Sequence, residues 1–375
     1  MSLRVLHTAD WQLGKPFHHL PAEVAPLLRE ARFEAVRSIA ALATRHEVAA
    51  VLVAGDVFDS NLVPERTIVQ ALAAMRGFPG PWVLLPGNHD AALAESVWSR
   101  LERLGRPANV LVATAPAPLV LADGRLCLLP APLTERHTGD DLSAWMDGAD
   151  TPSGALRLGL AHGCVLGRLP DTADATNPID PRRADSARLD YLALGDWHGA
   201  LEIAPRTWYA GTPEPDRYRA NDSGRVLLVD LPGPGAPPTV TALATGRHAW
   251  RQLRCDLTGA DDPKAALDHL LGSATGQERA LVQLTLEGVI GLEARVALDT
   301  ALERWRGELC HLELRDDLVA EPSDRDLLRL GGTPMIAEVA RELAELAVRD
   351  AAQRDVASLA LRLLYLEHTR LGAGG

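Results

Sequence analysis

Lysine is nearly absent from this chain: of 38 basic residues only Lys15 and Lys264 are lysine, and the other 36 are arginine. Set against 50 acidic residues this leaves a net charge of -12, which argues against binding nucleic acid through bulk positive charge. A local arginine track is still open, because the guanidinium fork grips phosphate with two hydrogen bonds. Cysteine is scarce too. Cys127, Cys164, Cys255 and Cys310 are scattered with no close pairing, which excludes a disulfide scaffold and fits buried, reduced thiols in the cytoplasm. No uncharged apolar stretch approaches the ~20 residues needed to cross a bilayer, so no membrane association is expected. The longest, such as residues 48–55, are strand-sized. Arg4 interrupts the first apolar run and Asp10 follows it, which does not suit a secretory signal.

What is present is an ordinary globular composition, 47% apolar and 23% charged over 375 residues, enough for two or three domains of ~150 residues. Residues 1–245 alternate short β-rich runs with helical patterns and read as α/β. Helices are expected over 24–45, 65–76 and 95–104, with buried strands at 3–7, 48–54 and 82–85. Strands come closer together after residue 110, and the stretch PGPGAPP at 232–238 marks a loop near a boundary. Residues 246–320 read as a small strand-helix-strand-helix-strand module. Residues 321–375 read as a helical segment with two apolar stripes, Ile336, Val339, Ala340, Leu343 and Ala347, then Val356, Leu359, Ala360 and Leu363.

Polar clusters follow the expected strands: Asp10-Trp11-Gln12, Gly55-Asp56 with Asp59, Gly87-Asn88-His89-Asp90, His162-Gly163, and Gly195-Asp196-Trp197-His198. Sheets of this class bind ligands at the carboxyl ends of their strands, so the clusters should converge. In extended backbone, residues i and i+2 share a side, which aims Asp10 with Gln12 and Asp196 with His198 into one site. Carboxylate, amide and imidazole donors together are metal ligands by type. Two divalent ions ~3.5–4 Å apart need a carboxylate that touches both, and Asp56, between a glycine and a turn, suits that role. Any one of these residues alone could be a helix cap, a turn residue or a core histidine.

Their order, D-x-Q, G-D-x-x-D, G-N-H-D, H-G, G-D-x-H, resembles the calcineurin-like metallophosphoesterase signature. HTADWQLGKPF, LVAGDVFDS, LLPGNHD, LAHGCVLG and YLALGDWHG are most similar to the SbcD-type nucleases of DNA double-strand-break repair. The resemblance implies an α/β sandwich: two packed β-sheets flanked by helices, a small α/β capping domain, and a helical C-terminal segment that docks on an SbcC-type ATPase. It further implies one divalent ion on Asp10, Gln12, Asp56 and His198 and a second on Asp56, Asn88, His162 and Asp196. His89 would act at the leaving oxygen, with Asp90 as its partner. Lys15 and Arg217 are candidates for binding substrate phosphate.

The family usually carries histidine where this chain has Gln12 and Asp196. A neutral amide should weaken the first ion, unless His18 or His19 takes its place. The oxygen-rich set should favour Mn²⁺, or Mg²⁺, over Zn²⁺. The expected activity is two-metal hydrolysis of DNA phosphodiesters by an exonuclease, with a two-fold dimer as the expected assembly. Two alternatives are a small-molecule phosphodiesterase or phosphatase and a weakly catalytic component of an ATPase complex.

Overall fold

The strand β1 (Leu3–Thr8) is buried at every position except Arg4, as a strand covered on both faces should be. In the computed structural model, which describes residues 2–169, 176–218, 221–273, 276–320, 326 and 334–372, it lies inside a six-stranded sheet. Its neighbours β2 (Ala50–Val53), β3 (Trp82–Leu84) and β4 (Val110–Val112) run parallel to it. On its other side β13 (Arg225–Leu231) and β14 (Thr239–Ala244) continue the sheet in antiparallel pairing. A second six-stranded sheet holds β5 (Leu119–Leu121), β6 (Leu126–Ala131), β7 (Leu156–His162), β10 (Tyr191–Gly195), β11 (Leu201–Ala204) and β12 (Thr207–Tyr209), in the order β11-β12-β10-β7-β6-β5. Two short strands, β8 (Cys164–Val165) and β9 (Pro178–Ile179), pair beside it.

Successive side chains of a strand point to opposite faces, and here that alternation separates three layers of core. Leu6, Val51, Val53, Trp82 and Leu84 pack in one cluster with the helices α1 (Ala25–Arg45), α2 (Glu65–Met75) and α3 (Val97–Arg103). Their sequence neighbours Val5, Ala50, Leu52 and Val83 face the other way, against Leu128, Leu158, Leu160 and Ala193 of the second sheet. The far face of the second sheet, Leu129, Leu192 and Leu194, is covered by Met146, Leu189 and Ala184 of α4 (Arg183–Ser186). Two packed sheets flanked by helices is the expected fold class. The helix α1 forms because Leu28, Ala31, Ala35, Val36, Ile39 and Ala43 recur at helical spacing, which lays one apolar stripe on the sheet.

The chain divides into two units, Met1–Asp216 with Ala220–His248, and Arg217–Arg219 with Ala249–Gly375. In the second, β15 (Ala249–Asp256), β16 (Ala280–Ile290) and β17 (His311–Ala320) make a parallel sheet, linked by α5 (Pro263–Gly272) and α6 (Leu292–Glu308). The terminal helices Pro334–Arg349 and Arg354–Gly372 group with this unit, where Ala340, Leu361 and Tyr365 share a small core with Leu292 of α6. Residues 321–325 and 327–333, where the helical segment was expected to start, lie outside the described residues. No described helix is long and apolar enough to cross a membrane.

Candidate metal centre

Five strands, β1, β2, β3, β7 and β10, end where the polar clusters begin, and the loops leaving β1 and β2 are stitched together by main-chain bonds. Asp10 N–H donates to Gly55 O at 3.1 Å, Gln12 N–H to Asp56 O at 2.8 Å and Leu13 N–H to Val57 O at 2.9 Å. The expected extended backbone is not what aims these side chains. Asp10 (φ 55°), Gln12 (φ 42°), Asp56 (φ 54°) and Asp196 (φ 102°) all take left-handed conformations, which cost a non-glycine residue roughly 1–2 kcal/mol or more each. Each strand thus turns sharply at its end and drives the side chain inward, instead of alternating. The fully buried Arg32 of α1 braces the first turn, donating from Nη1 to Trp11 O at 2.5 Å. Close approach also demands glycine. A Cβ on Gly87 would lie 2.2 Å from Asp56 Oδ1, and one on Gly55 (φ +92°) would lie 2.1 Å from His162 Nδ1.

Half of the centre forms around His162. Its Nδ1–H donates to Ala54 O at 2.8 Å, which fixes the ring and leaves Nε2 pointing inward. That nitrogen lies 2.9 Å from Asn88 Oδ1, 3.6 Å from Asp56 Oδ1 and 3.7 Å from Asp196 Oδ1. Asp10 Oδ1 is 4.0 Å from His162 Nδ1, and one ligand atom from each of Asp10, Asp56 and His162 lies within 4.8 Å of the others. The other half forms around His198. Its Nδ1 faces both oxygens of Asp216, at 3.3 and 3.2 Å, and its Nε2 lies 3.4 Å from Gln12 Nε2. Lys15 Nζ donates to Gln12 Oε1 at 2.8 Å and to Asp216 Oδ2 at 2.5 Å, and Arg32 Nη2 adds an ion pair to Asp216 at 3.3 Å.

Electrostatics agree with this division. Burial raises the Asp10 carboxyl above the usual range, opposed by His198 and His162 and reinforced by the Asp56 charge. Asp196 is pushed up to about 6, first by burial, with His162 opposing it and Asp10 and Asp56 adding to the rise. Burial alone would lower His162, but Asp56, Asp10 and Asp196 together raise it to about 9. Around Asp216 the balance reverses: burial would raise it, yet His198, Lys15 and Arg32 hold it well below the carboxylate range. With His162 raised to about 9, its Nε2–H can donate to Asn88 Oδ1, and a divalent ion that displaced that proton would meet the same ring nitrogen and the oxygens of Asn88, Asp56 and Asp196. The residues therefore fit a divalent ion, and Asp10, Asp56 and His162 form a candidate metal site.

The other expected residues are distributed as follows. His89 is partly exposed at the rim, its Nδ1 donating to Asp59 O at 2.8 Å and its Nε2 3.9 Å from Asp56 Oδ2. Asp90 is bonded to backbone N–H groups rather than to that ring. Its carboxylate is fully buried and accepts the N–H groups of Phe58 at 3.0 Å and Gly87 at 2.7 Å, so it ties the loops after β2 and β3 together. Burial, with the nearby Asp56 charge, raises it to about 8. His18 and His19 are exposed, and the ring of His19 leans on Phe17. Trp11 is core, packed edge-on against Trp82. Arg217 groups with the second unit. Asp216 and Arg32 were not anticipated. Asp216 lies in the irregular segment TPEPDRY, 18 residues beyond His198, and no periodicity or spacing connects the two.

Residues 3–158 match the family of calcineurin-like phosphoesterases. The chain is similar to YhaO of Bacillus subtilis (strain 168), an uncharacterized metallophosphoesterase, at 26% identity over 245 residues, which are 60% of this chain and 57% of that protein. It is also similar to the D component of the SbcCD nuclease of Escherichia coli (strain K12), at 38% identity over 100 residues, 25% of this chain and 23% of that protein. The chain thus spans about half the length of the first relative and a quarter of the second.

Proposed function

We propose that the chain is a metal-dependent phosphodiesterase that hydrolyses DNA, a nuclease of SbcD type that uses Mn²⁺ or Mg²⁺. One observation carries the metal-dependent part: His162 Nε2 faces Asn88, Asp56 and Asp196 oxygens within 3.7 Å, with Asp10 beside them. A divalent ion bound there would supply Lewis acidity at the phosphoryl group and acidify water at neutral pH. Asp56 faces His162 with its carboxylate and accepts the Gln12 N–H with its backbone oxygen, and it is the carboxylate this reading assigns to both ions. With Nδ1 committed to Asp59 O, His89 has Nε2 left to pass a proton to the leaving oxygen. Asp90 keeps the loop that carries Asn88 and His89 in place. The partial likeness to a component of the SbcCD nuclease supports DNA as the substrate. A net charge of -12 favours the rival reading, a small-molecule phosphodiesterase.

An SbcC-type ATPase partner belongs to the same reading, with Met335, Val339, Val356, Leu359 and Leu363 exposed on the terminal helices as the apolar surface it would cover. So does a two-fold dimer, for which Leu62 and Val69, at and just before α2, offer exposed apolar surface. Labelled single- and double-stranded DNA and a chromogenic phosphodiester, each assayed with Mn²⁺, Mg²⁺ and Zn²⁺, test the proposal. DNA cleavage with Mn²⁺ is the expected result. Hydrolysis of the small ester with no DNA cleavage under any metal selects the rival, and inactivity throughout refutes both.

A further inference from the structure

We infer that the Lys15 ammonium takes the place of the first ion, so that the chain holds one divalent ion tightly, in its His162 half, and carries a built-in cation in its His198 half. The inference rests on the metal-centre reading above and concerns how that centre is filled.

Lysine only donates, so Lys15 Nζ at 2.8 Å requires the oxygen end of the Gln12 amide to face it. The amide nitrogen is then the end that lies 3.4 Å from His198 Nε2 and points its hydrogens at that lone pair. His198 Nδ1, next to the Asp216 oxygens at 3.2 and 3.3 Å, carries the ring's hydrogen. This bonding scheme is self-consistent, and it uses the two atoms, Gln12 Oε1 and His198 Nε2, through which these residues would hold an ion. The ammonium itself is anchored. Asp216, its side chain 1% exposed, binds Lys15 at 2.5 Å and is also tied to Arg32. In the other half, no lysine or arginine is bonded to Asn88, Asp56 or Asp196 among the described residues, and the group that faces their oxygens is His162 itself, whose Nε2 can give up its proton to a metal ion.

Charge makes the alternatives exclusive. A divalent ion on Gln12 Oε1 would sit within a few ångströms of the ammonium, and at that range like charges repel strongly even with protein screening. The second ion should therefore bind on the order of tenfold more weakly, or worse, than the first. Removing the ammonium should open the position.

Mn²⁺ binding by equilibrium dialysis, combined with electron paramagnetic resonance of the bound metal, tests this on the full chain and on Lys15→Met. The expected result is one tightly bound ion with an uncoupled spectrum in the unaltered protein, and two ions with a spin-coupled spectrum in Lys15→Met. Circular dichroism checks the fold. If Lys15→Met does not fold, Gln12→His serves instead, because it removes the oxygen that seats the ammonium and should likewise admit a second ion. Two ions of equal affinity in the unaltered protein would overturn the inference and leave the metal centre standing, as would a single ion in every variant. No tight binding anywhere would overturn the metal centre and the inference together.

Discussion

The His162 and His198 halves of the candidate centre share a plan: an imidazole whose Nδ1 is held by an oxygen while Nε2 turns toward side chains delivered by other strands. They differ in what surrounds the plan. Around His162, three oxygens converge on Nε2 and the buried charge is balanced only by a raised histidine. Around His198, one buried carboxylate is matched by Lys15 and Arg32, and that carboxylate is held ionised. One half has only its own histidine as a cation, and the other already contains a lysine and an arginine. A family motif read residue by residue therefore states which groups meet, while the neighbours outside the motif decide what the groups can bind.

The largest effect should come from removing the carboxylate proposed to serve both halves. Asp56→Ala should abolish metal-dependent phosphodiester hydrolysis, by on the order of 10³-fold or more, together with Mn²⁺ affinity. An active, metal-binding variant would mean that Asp56 does not connect the halves. Next in size, Asp216→Ala should destabilise the fold by about 3–5 kcal/mol, because the buried Arg32 guanidinium loses its carboxylate. Urea unfolding measures this, and a change under ~1 kcal/mol would show that the His198 half needs no charge balance.

The two histidines give the direct contrast. His162→Ala should weaken the tightly held ion by roughly 10²-fold, whereas His198→Ala should weaken it by no more than about tenfold. Equal losses in calorimetric titration would erase the asymmetry. The smallest effect lies outside the centre and gauges how much acid sensitivity the rest of the sandwich contributes. His7 is fully buried, its Nδ1 2.9 Å from the Tyr191 hydroxyl, and burial, opposed by its bond to Leu194 O, lowers it to about 3. The unfolded chain therefore binds a proton that the fold refuses. Stability from this group is complete above pH ~6.5 and falls as pH drops toward 3, by about 2 kcal/mol at pH 5. His7→Gln should flatten that slope in urea titrations at pH 5 and pH 7, and an unchanged slope would assign it to other groups.

Much of this architecture was legible because burial writes itself into sequence. β2 and β3 are buried on both faces and read as continuous apolar runs, β1 reads as one interrupted by Arg4, and α1 carries a stripe at helical spacing. β14 went unread because it is a largely exposed strand following a proline-rich loop, so it has neither an apolar run nor a buried face to announce it. The convergence of Asp10, Asp56, Asn88, His162, Asp196 and His198 was anticipated from position at strand ends. The cause was not: left-handed turns aim Asp10 and Gln12, and φ at an aspartate or glutamine is not encoded by any spacing. The bonds of Lys15 to Gln12 and Asp216 had no signal in the sequence, which pointed to Lys15 only as a candidate for substrate phosphate. Asp216 escaped because its role exists only in three dimensions, where it meets residues 18 to 201 positions away.

Crystals grown with Mn²⁺ and measured at the manganese absorption edge test the account at its centre. The account predicts a strong anomalous peak within ~2–2.5 Å of oxygens or nitrogens of Asp56, Asn88, His162 and Asp196, stronger than any peak beside His198. A peak bound by Gln12 and His198 with none at His162, or no peak at the strand ends at all, would contradict it.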